Sequence, residues 1–135
     1  MSCHETSKPT GLLPNRENIG VDLPILTLDG IANGENAAEG SGITPLIYHD
    51  LIAAGVDCIT LGDHIYRRKE IYSVLETESR IVKPANFPAT APGKNWAIVT
   101  AASGVRVAVF SLLGRVFLRP VDCPFQAAER VLEQL

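Results

Sequence analysis

A chain of 135 residues suits one domain and can bury a real core. With 46% hydrophobic and 20% charged residues it has the composition of an ordered globular protein, and a net charge of −3 offers no basic footprint for duplex nucleic acid. No apolar run approaches the ~18 residues of a membrane helix, and the first residues, with His4, Glu5 and Lys8 among small polar ones, lack an apolar signal core, so the expected address is cytoplasmic with no membrane partner.

Residues 1–22 have no hydrophobic period, and Pro9, Gly11, Pro14, Asn15 and Gly20 interrupt any regular element, so an irregular arm is expected before a domain over 23–135. From Leu23 to Ala32 the chain turns apolar, although Pro24, Asp29 and Gly30 limit the strand to a few residues. That strand leads into the acidic loop Asn33-Gly34-Glu35-Asn36. Thr44 followed by Pro45 reads as a helix start, a hydroxyl cap and then a proline whose missing N–H costs nothing there. Ile47, Leu51 and Ala54 form the expected inward stripe, with Ile43 and Tyr48 flanking it, and Gly55 ends the helix.

Val56 to Leu61 is the next predicted strand, stopping at Gly62-Asp63-His64. Strand, helix and strand in this order make a βαβ unit, so both acidic loops are expected at the C-terminal edge of one parallel pair, where ligand groups collect. A second helix is predicted over Arg67 to Glu78, with Ile71, Val74 and Leu75 inward and Arg67, Arg68 and Lys69 on a solvated face. Ile81-Val82 reads as a brief strand. Two prolines then fix the turn Lys83 to Pro88, and Asn95 to Ala101 with Val105 to Leu113 read as a hairpin. Pro124 opens a last helix with Phe125, Ala128, Val131, Leu132 and Leu135 apolar. The cysteines Cys3, Cys58 and Cys123 are odd in number and unpaired in spacing, which argues against a disulfide framework and makes Cys58 a small core hydrophobe.

The motifs Asn33-Gly34-Glu35-Asn36-Ala37-Ala38, Gly62-Asp63-His64, Arg68-Lys69-Glu70-Ile71, Pro84-Ala85-Asn86-Phe87-Pro88, Pro92-Gly93-Lys94 and Gly114-Arg115-Val116-Phe117-Leu118 occur in order along residues 31–135. In these the chain resembles the YmdB-type branch of the calcineurin-like metallophosphoesterases. The resemblance implies an α/β fold, part of that family's layered sheet-and-helix sandwich, here a βαβ unit followed by a helix, a β-hairpin and a C-terminal helix. It also implies hydrolysis of small phosphoesters such as 2′,3′-cyclic nucleotides at two divalent metal ions, iron, manganese or similar. By that resemblance Glu35 bridges the metals, Asn36 lines the site among the ligands, Asp63 is a ligand and His64 gives a proton to the leaving oxygen. Asn86 is either a turn former or a substrate contact. Arg115 is either an exposed strand-closing residue or a phosphate partner.

Three departures set further expectations. Gly-Asp-His stands where the family has Gly-Asn-His, making the site about one charge more negative. The family's opening strand with Gly-Asp has no match in residues 1–30, and the further ligand histidines of its second half have none either, since His4 and His49 fit no such motif. The chain therefore reads as a truncated member, expected to bind metal weakly and to hydrolyse little alone. The competing reading is a non-catalytic interaction protein, and a third has a partner chain supply the missing ligands. Exposed sheet edges are expected to favour homo-oligomers.

Overall fold

The computed structural model describes residues 30–135, so the expected arm of 1–22 and most of the expected first strand lie outside the described residues. Strand β1 is Ile31–Asn33, helix α1 Pro45–Ala53 and strand β2 Cys58–Thr60. A single 3₁₀ turn, Lys69–Ile71, runs into helix α2, Tyr72–Thr77, which is followed by β3, Ile81–Val82. Strands β4, Ala97–Thr100, and β5, Arg106–Val109, precede helix α3, Pro124–Leu132. No helix among the described residues is long and apolar enough to cross a membrane.

The first three strands form one parallel sheet in the order β1-β2-β3, with Asn33 opposite Thr60 and Thr60 opposite Val82. The expected βαβ unit is therefore present, and the loops after β1 and β2 leave the sheet at the same edge. β4 and β5 form the expected antiparallel hairpin, with Ala97 opposite Val109. Isolated parallel bridges, Val82 to Lys94 and Pro84 to Ser111, join the hairpin to the end of β3. The main core packs Ile59 and Leu61 of the β2 segment against Ile43, Tyr48, Ile71, Leu75 and Ile81. Cys58 belongs to a second cluster with Val82, Val99 and Val109, and burial pushes its thiol up to about 11.

Local chemistry explains the ends of α1. Thr44 Oγ1 accepts from the Ile47 N–H at 3.3 Å, Pro45 opens the helix, and Gly55 takes φ 97° just past its end. The inward face differs from the expected stripe: Tyr48 is the fully buried residue, Ile47 and Leu51 are half-buried, and Ala54 is exposed. The helix is rotated because the Tyr48 ring packs toward α2, where its hydroxyl donates to Glu78 at 3.0 Å. Burial, together with the Glu78 carboxylate, pushes that hydroxyl up to about 12.

The second helix starts later than expected. Arg67 and Arg68 precede it in a loop, and Arg68 is not on a solvated face: it donates to the main-chain oxygens of Ser41 and Ala38 at 3.3 and 3.2 Å. In α3 Ala127 and Val131 are buried, whereas Phe125, Leu132 and Leu135 are exposed, so the expected apolar face is only partly used.

Asn86 is fully buried. Its amide nitrogen donates to the main-chain oxygens of Leu113 and Asp122 at 2.9 and 3.1 Å, and its oxygen accepts from the Leu113 N–H at 2.9 Å. Such an amide serves the backbone, as expected of the turn-forming one of the two readings. Removing it leaves three main-chain groups without partners, so Asn86→Ala is expected to cost roughly 2–4 kcal/mol. Chemical denaturation measures this, and hydrogen exchange should show the lost protection concentrated in residues 113–122; a cost under about 0.5 kcal/mol would contradict the assignment.

Candidate functional site

The loop after β1 is tied to itself. Asn33 Oδ1 accepts from the Glu35 N–H at 3.1 Å, the Gly42 N–H donates to the Glu35 carbonyl at 2.6 Å, and the Ala38 N–H donates to the Gly42 carbonyl at 2.8 Å. Gly42 adopts φ 79°, and a Cβ there would sit 3.2 Å from the His64 carbonyl and from the Arg67 and Arg68 side chains. This glycine lets the loop after β1 lie against the loop after β2.

Gly62 has the same purpose at the site itself. A Cβ on Gly62 would fall on the Glu35 carboxylate. The glycine therefore opens the space in which Glu35 reaches across to Asp63 and His64.

Glu35, Asp63 and His64 each offer a donor atom within 4.8 Å of the others, and they are the one such group of histidine, cysteine or acidic residues among the described residues. His64 Nδ1 lies 3.8 Å from Glu35 Oε1, and His64 Nε2 lies 3.6 Å from Asp63 Oδ2. Asn36 Oδ1 is 2.7 Å from His64 Nδ1. An amide oxygen only accepts, so His64 donates from Nδ1 and Nε2 faces the Asp63 side. Asn36, expected among the ligands, thus orients the imidazole through its amide oxygen.

The two carboxylates behave as one pair. A hydrogen bond that Glu35 donates to Asp63, then burial, then the Asp63 charge hold Glu35 above its ordinary value, while accepting that same hydrogen bond chiefly holds Asp63 below its own. Two acids this close share one proton, because both cannot be ionised without repulsion. A cation between them would remove the repulsion, and two carboxylates with an imidazole are donors suited to a hard or borderline divalent ion. The residues fit a metal: Glu35 and Asp63 would hold one ion, with the His64 imidazole beside them.

Beside this cluster is a cavity of about 300 Å³ that shares Asp63 with it. Tyr66, Phe87, Leu113 and Val121 give it apolar walls, and Arg67 and Arg119 give it positive charge. Arg119 and Phe87 were not singled out by sequence; the pairing of Phe87 with a site loop has no local signal. Arg115 is exposed and is not in the lining, and Asn86 stands behind the cavity wall and outside the lining. A larger cavity of about 510 Å³, lined by residues such as Lys83, Asn95 and Trp96, includes none of the cluster.

A family model described as "YmdB-like protein" matches residues 25–135. This chain belongs to that family. It is 46% identical over 104 residues to the 2′,3′-cyclic-nucleotide 2′-phosphodiesterase of Bacillus subtilis, an alignment covering 77% of this chain and 39% of that protein. It is 30% identical over 107 residues to a putative phosphatase/phosphodiesterase of Mycoplasma genitalium, covering 76% and 36%. A crystal structure of a hypothetical protein from Thermus thermophilus superposes with TM-score 0.73 at 42% identity, covering 78% of this chain and 41% of that one. A phosphatase from Mycoplasma pneumoniae shares the fold with TM-score 0.67 at 24% identity, covering 77% and 39%. The chain spans about two-fifths of the length of these YmdB-like and phosphatase relatives.

Two outcomes follow from the site geometry. Gly62→Ala displaces the Glu35 carboxylate, the end of a flexible side chain, so divalent-ion affinity in titration calorimetry should fall at least tenfold, with a change in stability of about 1 kcal/mol or less; unchanged affinity would show that Glu35 is not needed. The second concerns pH. Glu35, raised in the fold, contributes stability below its unfolded value and loses it as pH rises through the folded one, whereas Asp63, lowered, contributes above its unfolded value and loses it as pH falls through the folded one. Repulsion is complete only when both are ionised, above the raised Glu35 value. In EDTA, Glu35→Gln should therefore be more stable than the parent at neutral and higher pH, the gap closing as pH falls through that value. Urea melts across pH test this, and a pH-independent gap would contradict the shared proton.

Proposed function

We propose that this chain carries part of a metal-dependent phosphoesterase site acting on small phosphoesters such as 2′,3′-cyclic nucleotides, the substrate class named for its Bacillus subtilis relative. The observation that carries this is the convergence of the Glu35, Asp63 and His64 donor atoms within 4.8 Å at one edge of a parallel sheet. Glu35 and Asp63 hold the ion through their oxygens. When bound, a divalent ion supplies positive charge against phosphoryl oxygens and acidity to water.

The chain's own groups do the rest. Asn36 holds the His64 ring by its Nδ1–H, which leaves Nε2 as the atom that carries a proton to the departing alkoxide. Asn36 is thus a positioning residue and His64 the acid. A second ion would need donors beyond Glu35 and Asp63, so slow hydrolysis is the expected behaviour of these residues by themselves.

The test combines metal content with turnover of 2′,3′-cyclic AMP. Asp63→Ala and Glu35→Gln should lose both bound metal and the slow hydrolysis. His64→Ala should keep the metal and lose roughly 100-fold or more in kcat. Metal content unchanged by all three substitutions, with no turnover in the parent, would favour a non-catalytic interaction protein.

A further inference from the structure

The cavity that shares Asp63 with the cluster has a composition the hydrolytic reading leaves unused. Its lining combines two guanidinium groups with an aromatic and aliphatic wall. The wall is rigidly backed: the Tyr66 hydroxyl donates to the Pro92 carbonyl at 2.7 Å, and the Tyr66 ring stacks with Phe87 at 6.0 Å and with Tyr72 at 5.4 Å between centroids. Burial pushes the Tyr66 hydroxyl up to about 12, so it stays a donor to that carbonyl at any working pH.

Charge and shape then divide the ligand. Arg67 and Asp63 both line the cavity, so one guanidinium stands where the cavity meets the donor cluster. Guanidinium groups pair with phosphate oxygens through two hydrogen bonds at once, which favours a phosphate at that end. The aromatic and aliphatic remainder offers a flat apolar surface to whatever the phosphate carries, and aromatic faces stack on bases without reading their edges. A volume of about 300 Å³ is at the small end for ligand sites and suits one nucleotide unit, not an oligomer.

We propose that this cavity is the nucleoside subsite: the base lies against Phe87 and Leu118, and Arg67 and Arg119 hold the phosphate toward Asp63. The proposal rests on the phosphoesterase reading and names its specificity-determining residues. Because the apolar wall carries no edge-reading amide or carboxylate, the subsite discriminates nucleoside from bare phosphate strongly and one base from another weakly.

The experiment is a titration of the isotopically labelled full chain by NMR in EDTA, where turnover is stopped, with 3′-AMP, adenosine and inorganic phosphate as probes. 3′-AMP should bind at least tenfold more tightly than either other probe, shifting Tyr66, Phe87 and Leu118. Arg119→Ala and Arg67→Ala should each weaken 3′-AMP about tenfold, the loss of one charge-assisted contact, and leave adenosine unchanged; Phe87→Leu should weaken both, with its melting temperature checked to confirm folding. Equal binding of phosphate and 3′-AMP, shifts outside the cavity, or arginine variants that bind like the parent would overturn the subsite. Binding with this pattern but no hydrolysis under metal would leave the subsite standing and sink the hydrolytic reading. Metal-dependent hydrolysis with KM unmoved in both arginine variants would do the reverse.

Discussion

Two carboxylates held so close that each shifts the other's ionisation set the terms for the rest of this structure. Parallel pairing places Asn33 beside Thr60, so the chain leaves both strands at one edge and Glu35 and Asp63 follow within three residues. Nothing in hydrophobic packing asks for this meeting, and in the absence of a cation it opposes folding. It persists because the surrounding backbone is over-determined, the usual condition for keeping an unfavourable arrangement at a functional site. The absent side chain at Gly62 is the permissive element: any Cβ would occupy the volume of the Glu35 carboxylate.

The two loops brace each other. Arg68, from beyond the second strand, reaches back to the main-chain oxygens of Ser41 and Ala38, and Asn36 from the first loop takes the His64 Nδ1–H of the second. These contacts cross 27 to 30 residues of sequence and are all polar. They hold an edge that the short strands alone would leave loose, since β1 and β2 have three residues each. The loop after β1 is closed on itself by main-chain bonds as well, so its carboxylate is aimed before any ligand arrives.

What could be read from the sequence was whatever is decided locally or by topology. Thr44-Pro45 announces a helix start through capping chemistry, Ile81-Val82 announces a strand, and strand-helix-strand order forces the two acidic loops to one edge. The site residues Glu35, Asp63 and His64 were visible for that reason. Tyr48 was not, because its inward rotation depends on a hydroxyl finding Glu78, 30 residues away. Arg68 read as a solvated helix face since periodicity says nothing of a loop 27 residues upstream. Arg115 and Arg119 lie in one irregular segment without a period and are both exposed, so only the folded chain shows which of them lines the cavity.

The turn expected over Lys83 to Pro88 is present, closed by the Phe87 N–H donating to the Pro84 carbonyl at 3.0 Å, and it also organises the cavity. Lys83 is buried with its ammonium given to the carbonyls of Pro88 and Ala91, and desolvation lowers its pKa, so it acts as a clamp on the loop that follows it. Asn86 holds Leu113 and Asp122 through their main chains, while the Pro92 carbonyl holds the Tyr66 hydroxyl. Phe87 lies between these anchors, so one buried polar segment places the walls contributed by Tyr66, Phe87, Leu113 and Val121. Charge and recognition therefore rest on separate supports, the carboxylate pair on a glycine and a parallel edge, the cavity on a clamp of lysine and asparagine. Asp63 belongs to both the carboxylate pair and the cavity lining, but the lysine and asparagine that support the cavity are separate from it.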